Sequence, residues 1–528
     1  MGQKKIYSGG TIVTMEGNKT ADAVLVEDGI IREVGTLEQV QFFSGTSAEA
    51  VNLQGKTMLP AFLDPHSHIT ALASTLSLAS LDGAGSFQEI AERLKTYVYK
   101  NKLKPGEWVL GFGYDQNSLY EHRHPTKELL DRVLPGYPVM ISHKSGHMGV
   151  LSSKALEQLS ITARTKDPDG GKIGRMQGSL EPNGYLEETA YTTLKPHQPS
   201  REQRIKQMEA AQQLYFSYGI TTVQDGLTGM SEWKLLKEMA DLGKLKADIV
   251  CYADYKQTPN LIPEHPEFFR EYRNRLKLGG YKIFLDGSPQ GRTAWMTQPY
   301  EGEEDYRGYP IYSDAQVREF VEGAIRENIQ LLAHCNGDAA CEQLLCAFEQ
   351  TAGAGDSKTR PVMIHAQFLR ANQLPRMRKL GMIASFFVAH TYYWGDTHLK
   401  NFGERGRRIS PAKSAGREGV TYTFHQDSPV LAPDMLATLW CACNRITANG
   451  VLLDREECLT PMEALRGVTV NAAYQYFEED KKGSIAPGKF ADFVLLDKNP
   501  LTVPKEELRD IRVLETIKKG ETVFRRES

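Results

Sequence analysis

Eight short apolar runs recur along the middle of this chain, at 58–64, 219–225, 248–253, 280–286, 329–334, 361–366, 382–387 and 420–427. Most are separated by stretches with helical spacing, such as Ser231–Leu242 and Asp314–Glu327. Few architectures accept that order. Eight alternating β and α units predict an α/β fold, the (β/α)8 TIM barrel, with its chemistry at the C-terminal ends of the strands. The gap of about 150 residues between the first and second runs is too long for a loop. It carries its own strand signals at Trp108–Phe112 and Val139–Ser142, so residues 70–215 read as an inserted α+β subdomain after the first barrel strand, over the barrel mouth. Residues 1–57 and 479–528 are β-rich and turn at glycines, as in Asp28-Gly29-Ile30-Ile31. They predict one small β-sandwich domain built from both termini around a barrel spanning 58–478.

The strand ends carry the chemistry. Met58-Leu59-Pro60-Ala61-Phe62-Leu63 runs into Asp64-Pro65-His66-Ser67-His68. On a strand, residues i and i+2 share a side with Cα atoms roughly 6.6 Å apart. Two imidazoles so placed can meet one metal ion at about 2.0–2.1 Å, although a surface pair of histidines gives the same pattern. Later runs end at His334, at His365 and at His425-Gln426-Asp427, and Lys282 interrupts an apolar strand. These strand-end histidines, with an aspartate and an inward lysine, in order, argue against separate accidents.

Composition excludes more than it selects. A chain of 528 residues with 41% hydrophobic content can bury a large core without disulfides. A net charge of −3 supplies no basic field for nucleic acid and no polybasic membrane patch. Lys4-Lys5 precede no long apolar segment, so neither a signal peptide nor a membrane span is expected. The seven cysteines lack C-x-x-C spacing, and Cys441-Ala442-Cys443 reads as helix packing. The cytoplasm is the expected compartment and a small molecule the expected partner; self-association into a homo-oligomer stays open.

These residues resemble the amidohydrolase superfamily of metal-dependent hydrolases, in the branch called amidohydrolase family 3, which groups N-substituted formamide deformylases and exoenzyme-regulatory proteins. The resemblance runs from the Gly29 turn to Gly488-Lys489-Phe490-Ala491-Asp492. Its motifs are Asp64-Pro65-His66-Ser67-His68, Lys282-Ile283-Phe284-Leu285-Asp286-Gly287-Ser288, His334-Cys335-Asn336-Gly337-Asp338, His365-Ala366-Gln367, His390 and Asp427-Ser428-Pro429-Val430. It implies that His66, His68 and Asp427 bind a first divalent metal, with zinc the expected ion, and that His334 and His365 bind a second. Lys282 is then the bridge, carboxylated by carbon dioxide to a carbamate. A salt bridge from Lys282 to Asp286 and a single-metal site are the competing readings.

The implied reaction is hydrolysis of a non-peptide C–N bond, an amide or N-formyl group. Asp427 serves as general base and then acid, and His390, ending a strand at Met382–Ala389, assists at the carbonyl or plays a structural part. A cyclic amide hydrolase, a deaminase or an esterase could use the same centre, and a non-catalytic regulatory or binding protein could keep the barrel. His425, on the strand face of Asp427, is either an extra ligand or a support for one. Tyr392 and Trp394 form either an aromatic substrate wall or plain packing. Substrate contacts are also expected from Arg292 and, from the insertion, His147, with His143 beside it.

Overall fold

All eight apolar runs supply strands to one sheet, and every pairing in it is parallel. In the computed structural model its strands are Phe62–Leu63, Ile220–Thr228, Asp248–Asp254, Leu276–Phe284, Gln330–Cys335, Val362–His365, Ile383–Phe386 and Tyr422–Phe424, neighbours in chain order. The structure describes all residues except 1–3, 46–47, 77, 117, 145, 147, 169, 195–198, 353–357 and 528. Inward side chains at alternate positions, among them Leu63, Val250, Tyr252, Leu332, Val362 and Ile364, pack into one core with Tyr476. The fold is TIM-barrel-like. No ladder among the described residues joins the first strand to the eighth, and Leu63 instead donates its N–H to Val468 O at 3.0 Å. The two ends still meet, because the His68 N–H reaches Ser428 O at 2.8 Å.

The run 58–64, expected to be one barrel strand, is shared between two sheets. Thr57–Pro60 pairs antiparallel with Phe493–Leu496 in the terminal sheet, and only Phe62–Leu63 enters the barrel. Ala61, between them, donates its N–H to Asp492 O at 2.9 Å, so the chain changes sheets at that residue. The terminal segments expected to form a two-sheet sandwich make one continuous eight-stranded sheet. The strand Lys4–Val13 is long enough to pair Glu49–Asn52 with its first half and Thr57–Pro60 with its second. Asp28 and Gly29, both at positive φ, make the two-residue turn between Thr20–Glu27 and Ile30–Gly35.

The chain separates into two compact units, Leu72–Ala210 and the remainder. The first has a six-stranded sheet that includes Val109–Tyr114 and Val139–His143. Ile90 and Leu94 of helix Phe87–Asn101 pack on that sheet with Val109 and Ile141. Among the described residues, no helix is long and apolar enough to cross a membrane.

Candidate metal centre

Three donors from opposite ends of the parallel sheet converge. His66 and His68 follow the first strand, and Asp427 follows the eighth. Asp427 Oδ1 lies 3.6 Å from His66 Nε2 and 3.3 Å from His68 Nε2. The three groups can reach one ion, since their ligand atoms all lie within 4.8 Å of one another. Asp427 Oδ2 is 3.9 Å from His365 Nε2, which in turn lies 3.0 Å from His334 Nδ1. Lys282 Nζ completes the group at 3.2 Å from His66 Nε2.

The hydrogen bonds behind these rings decide which nitrogen is bare. Gln224 donates its amide N–H to Pro65 O, so its oxygen faces His66 and accepts from Nδ1 at 2.7 Å. That leaves His66 Nε2 with a lone pair turned inward. Nε2 of His334 meets both Gly287 O at 3.3 Å and the Asn336 amide nitrogen at 3.0 Å, while its Nδ1 faces His365. His365 uses Nδ1 on His425 Nε2 at 3.1 Å, and His425 Nδ1 meets Ser385 Oγ at 2.9 Å. Such outward bonds fix the ring and tautomer of a ligating histidine. Asp427 Oδ1 is buried without a hydrogen-bond partner among the described residues. Bare imidazole nitrogens around an unpartnered carboxylate oxygen suit a divalent cation, so the residues fit the group.

Electrostatics agree with that donor set. Burial lowers the His66 and His365 imidazoles well below their ordinary range, and His334 falls to about 4 through burial and the charge of Lys282. All three are neutral at pH 7, the form that binds metal. Burial alone would raise the Asp427 carboxyl, but the close approach of His68, with His66 and His365 beside it, holds it well below the usual carboxylate range. Burial pushes the Lys282 ammonium down to about 7. The side chains of His68, His334 and Asp427 stay 15–22% exposed, while Lys282 is sealed, so the donor group is reached from their side.

Two of these residues stand in strained backbone. His365 has φ of 71° and Asp427 of 52°, in the left-handed region that side chains other than glycine avoid. Such strain costs on the order of 1–3 kcal/mol per residue and gathers where function holds it. With Val362 and Ile364 facing the core, strict alternation would turn His365 away, and the left-handed residue breaks that alternation.

Other expected residues fall differently. Asp286 is not the partner of Lys282. Its carboxylate accepts backbone N–H groups of Trp295, Asn336 and Gly337 at 2.9, 2.9 and 2.7 Å, fastening two loops. The eighth strand ends at Phe424, so His425 does not share a strand face with Asp427; it backs His365. His390 begins a helical turn rather than ending a strand, one Phe387 ring away from His365 and His425. Trp394 packs on His390 with centroids 4.5 Å apart, whereas Tyr392 packs on Trp440. Arg292 is tied to its own loop, to Glu301 O and to Glu303. His143 pairs with Asp115 inside the inserted unit, and His147 lies outside the described residues. Sequence reasoning missed Gln224 and Ser385, which are polar residues inside barrel strands, and His398, inside the helix Gly395–Phe402.

The sequence profile of the amidohydrolase family matches residues 49–524. The chain belongs to the amidohydrolase family. This amidohydrolase is 29% identical over 532 residues to the N-substituted formamide deformylase of Arthrobacter pascens, covering 95% of each chain. It is 27% identical to the putative amidohydrolase YtcJ of Bacillus subtilis (strain 168), over 99% of each. Its fold matches the crystal structure of an uncharacterized metal-dependent hydrolase from Pyrococcus horikoshii OT3 with a TM-score of 0.78 at 26% identity, covering 95% of this chain and 99% of that one. The amidohydrolase is thus a metal-dependent hydrolase acting on carbon–nitrogen bonds and using a divalent ion.

Proposed function

We propose that this amidohydrolase hydrolyses the amide bond of small N-acylated amines, with N-substituted formamides as the leading class. The observation that carries the reading is the inward convergence of bare imidazole nitrogens and the Asp427 carboxylate. The likeness to a formamide deformylase over nearly the full chain supports the substrate class. His66, His68 and Asp427 would hold one divalent ion, and His334 and His365 a second, with zinc favoured by the imidazole-rich set. Lys282 would bridge them as a carbamate. Its neutral amine, plentiful at neutral pH, adds to carbon dioxide and releases a proton. When bound, such ions supply Lewis acidity that acidifies water and polarises a carbonyl.

The chain's own residues do the rest. Asp427, ionised at neutral pH, takes a proton from the attacking water as its oxygen bonds to the carbonyl carbon. It then returns that proton to the nitrogen as the C–N bond breaks, giving a carboxylic acid and an amine. His390, buried and neutral, donates a hydrogen bond to the carbonyl oxygen. The test is turnover of N-butylformamide against a matched acetamide, cyclic amide and ester, with metal content measured on the same sample. Metal-loaded protein inert on every amide would sink the reading, and preference for the ester would redirect it.

A further inference from the structure

The His390 imidazole is not alone. Its Nδ1 lies 3.0 Å from Nε2 of His398, and the two rings lie edge to edge, their centroids 5.3 Å apart and their planes parallel within 3°. Both are buried, His398 completely. Burial holds the His398 imidazole at about 3 and lowers His390 well below its ordinary range, so each ring is neutral and carries one proton.

One proton lies between the rings, and it can sit on either side. If His390 donated from Nδ1, the proton of His398 would have to occupy its own Nδ1. That atom is buried without a hydrogen-bond partner among the described residues. A buried N–H with no acceptor bears its full desolvation cost, and such orphan donors are rarer in proteins than bare acceptors. In the other arrangement His398 donates from Nε2 to His390 Nδ1, and only a lone pair is left unpaired. The proton of His390 then stands on Nε2. This nitrogen makes no hydrogen bond to the described residues and, unlike Nδ1 of His398, is not sealed off by packing.

We infer that His398 is a positioning residue, which locks His390 as an Nε2–H donor aimed at substrate oxygen rather than as a base. The inference rests on the hydrolytic role proposed for His390. It excludes His390 from taking the proton of the attacking water and leaves that task to Asp427. A further consequence concerns the shape of position 398, where a group able to donate should be interchangeable with histidine and an acceptor should not.

The tautomer is measured first, on protein labelled with ¹⁵N-histidine, with the His390 signals assigned by their absence in His390→Gln. A pyrrole-type Nε2 and pyridine-type Nδ1 are expected, and a proton on Nδ1 would overturn the inference whatever the enzyme's activity. His398→Gln and His398→Glu then separate donor from acceptor at nearly the same reach. With N-butylformamide, His398→Gln should keep kcat within about threefold, while His398→Glu should lose about 10²-fold in kcat with little change in KM, as when one oxyanion donor is removed. Equal kcat in the two folded variants would overturn the positioning role. Should the wild type fail to turn over any amide, the proposed function fails while the ¹⁵N result still decides the tautomer.

Discussion

At the scale of single residues, the candidate centre separates proton transfer from metal holding. Asp427→Asn keeps an oxygen facing His66 and His68 but cannot accept a proton. Turnover should fall about 10²–10⁴-fold, the range of a lost acid–base group, with much of the metal retained. Stopped-assay rates and elemental analysis on one sample check this, and near-normal turnover removes Asp427 as the base. Lys282 gives the second residue-scale prediction. Lys282→Ala should lose metal and activity together if an anionic carbamate is the bridge, and added formate, acetate or propionate should restore part of both. An ammonium leaves a vacancy short of positive charge, which carboxylates cannot fill. Loss without rescue counts against the carbamate, and two retained ions with normal turnover eliminates it.

At the scale of elements, a buried ionic cluster ties the barrel to the terminal sheet. Glu478 pairs with Lys277 of the fourth barrel strand and with Lys482, and Asp248 of the third strand holds both Lys482 and Lys518 at 2.7 Å. Lys518 belongs to the terminal strand Val513–Lys518. Burial alone would raise the Glu478 carboxyl, but the charges of Lys277 and Lys482 hold it at about 2 against an ordinary 4.5. A carboxylate with a depressed native pKa adds stability above its unfolded pKa, and that stability drains as pH falls from about 4.5 through about 2. Glu478→Gln leaves two buried lysines short of a partner and should cost about 3–5 kcal/mol in denaturant unfolding at pH 7. The gap to wild type should close near pH 2, and a gap independent of pH would refute the assignment. The elements themselves were largely legible in the sequence. Period and punctuation locate all eight barrel strands, and helix Met230–Asp241 starts one residue from its expected place. The switch of sheets at Ala61 was not legible, because continuous hydrophobicity records burial without recording which sheet buries it. The support behind the centre was hidden for a related reason. Gln224 reaches His66 across tertiary distance and His398 reaches His390 from the next short helix, and no local pattern distinguishes them from other polar residues.

At the scale of the whole molecule, the candidate donors are unevenly shared. His66, His68, Lys282, His334, His365 and Asp427 all belong to the larger unit, and none falls within Leu72–Ala210. An ion that binds only the native state stabilises it by mass action, by about 2.7 kcal/mol when its free concentration is a hundred times the dissociation constant. Chelation should therefore lower Tm, and the loss should be local. The donors close the C-terminal ends of the first, fourth, fifth, sixth and eighth strands, where His365 and Asp427 already hold strained backbone. Without a cation, bare nitrogens and a carboxylate face one another with nothing between them, and those ends are the places to open first. The inserted unit keeps its own core of Ile90, Leu94, Val109 and Ile141, which draws nothing from the ion. Hydrogen exchange with and without chelator should accordingly show lost protection around Leu332–Cys335, Val362–His365 and Tyr422–Phe424. Val109–Tyr114 and Val139–His143 should keep theirs. Protection lost evenly across both units, or lost first in the insertion, would mean that the metal is held elsewhere.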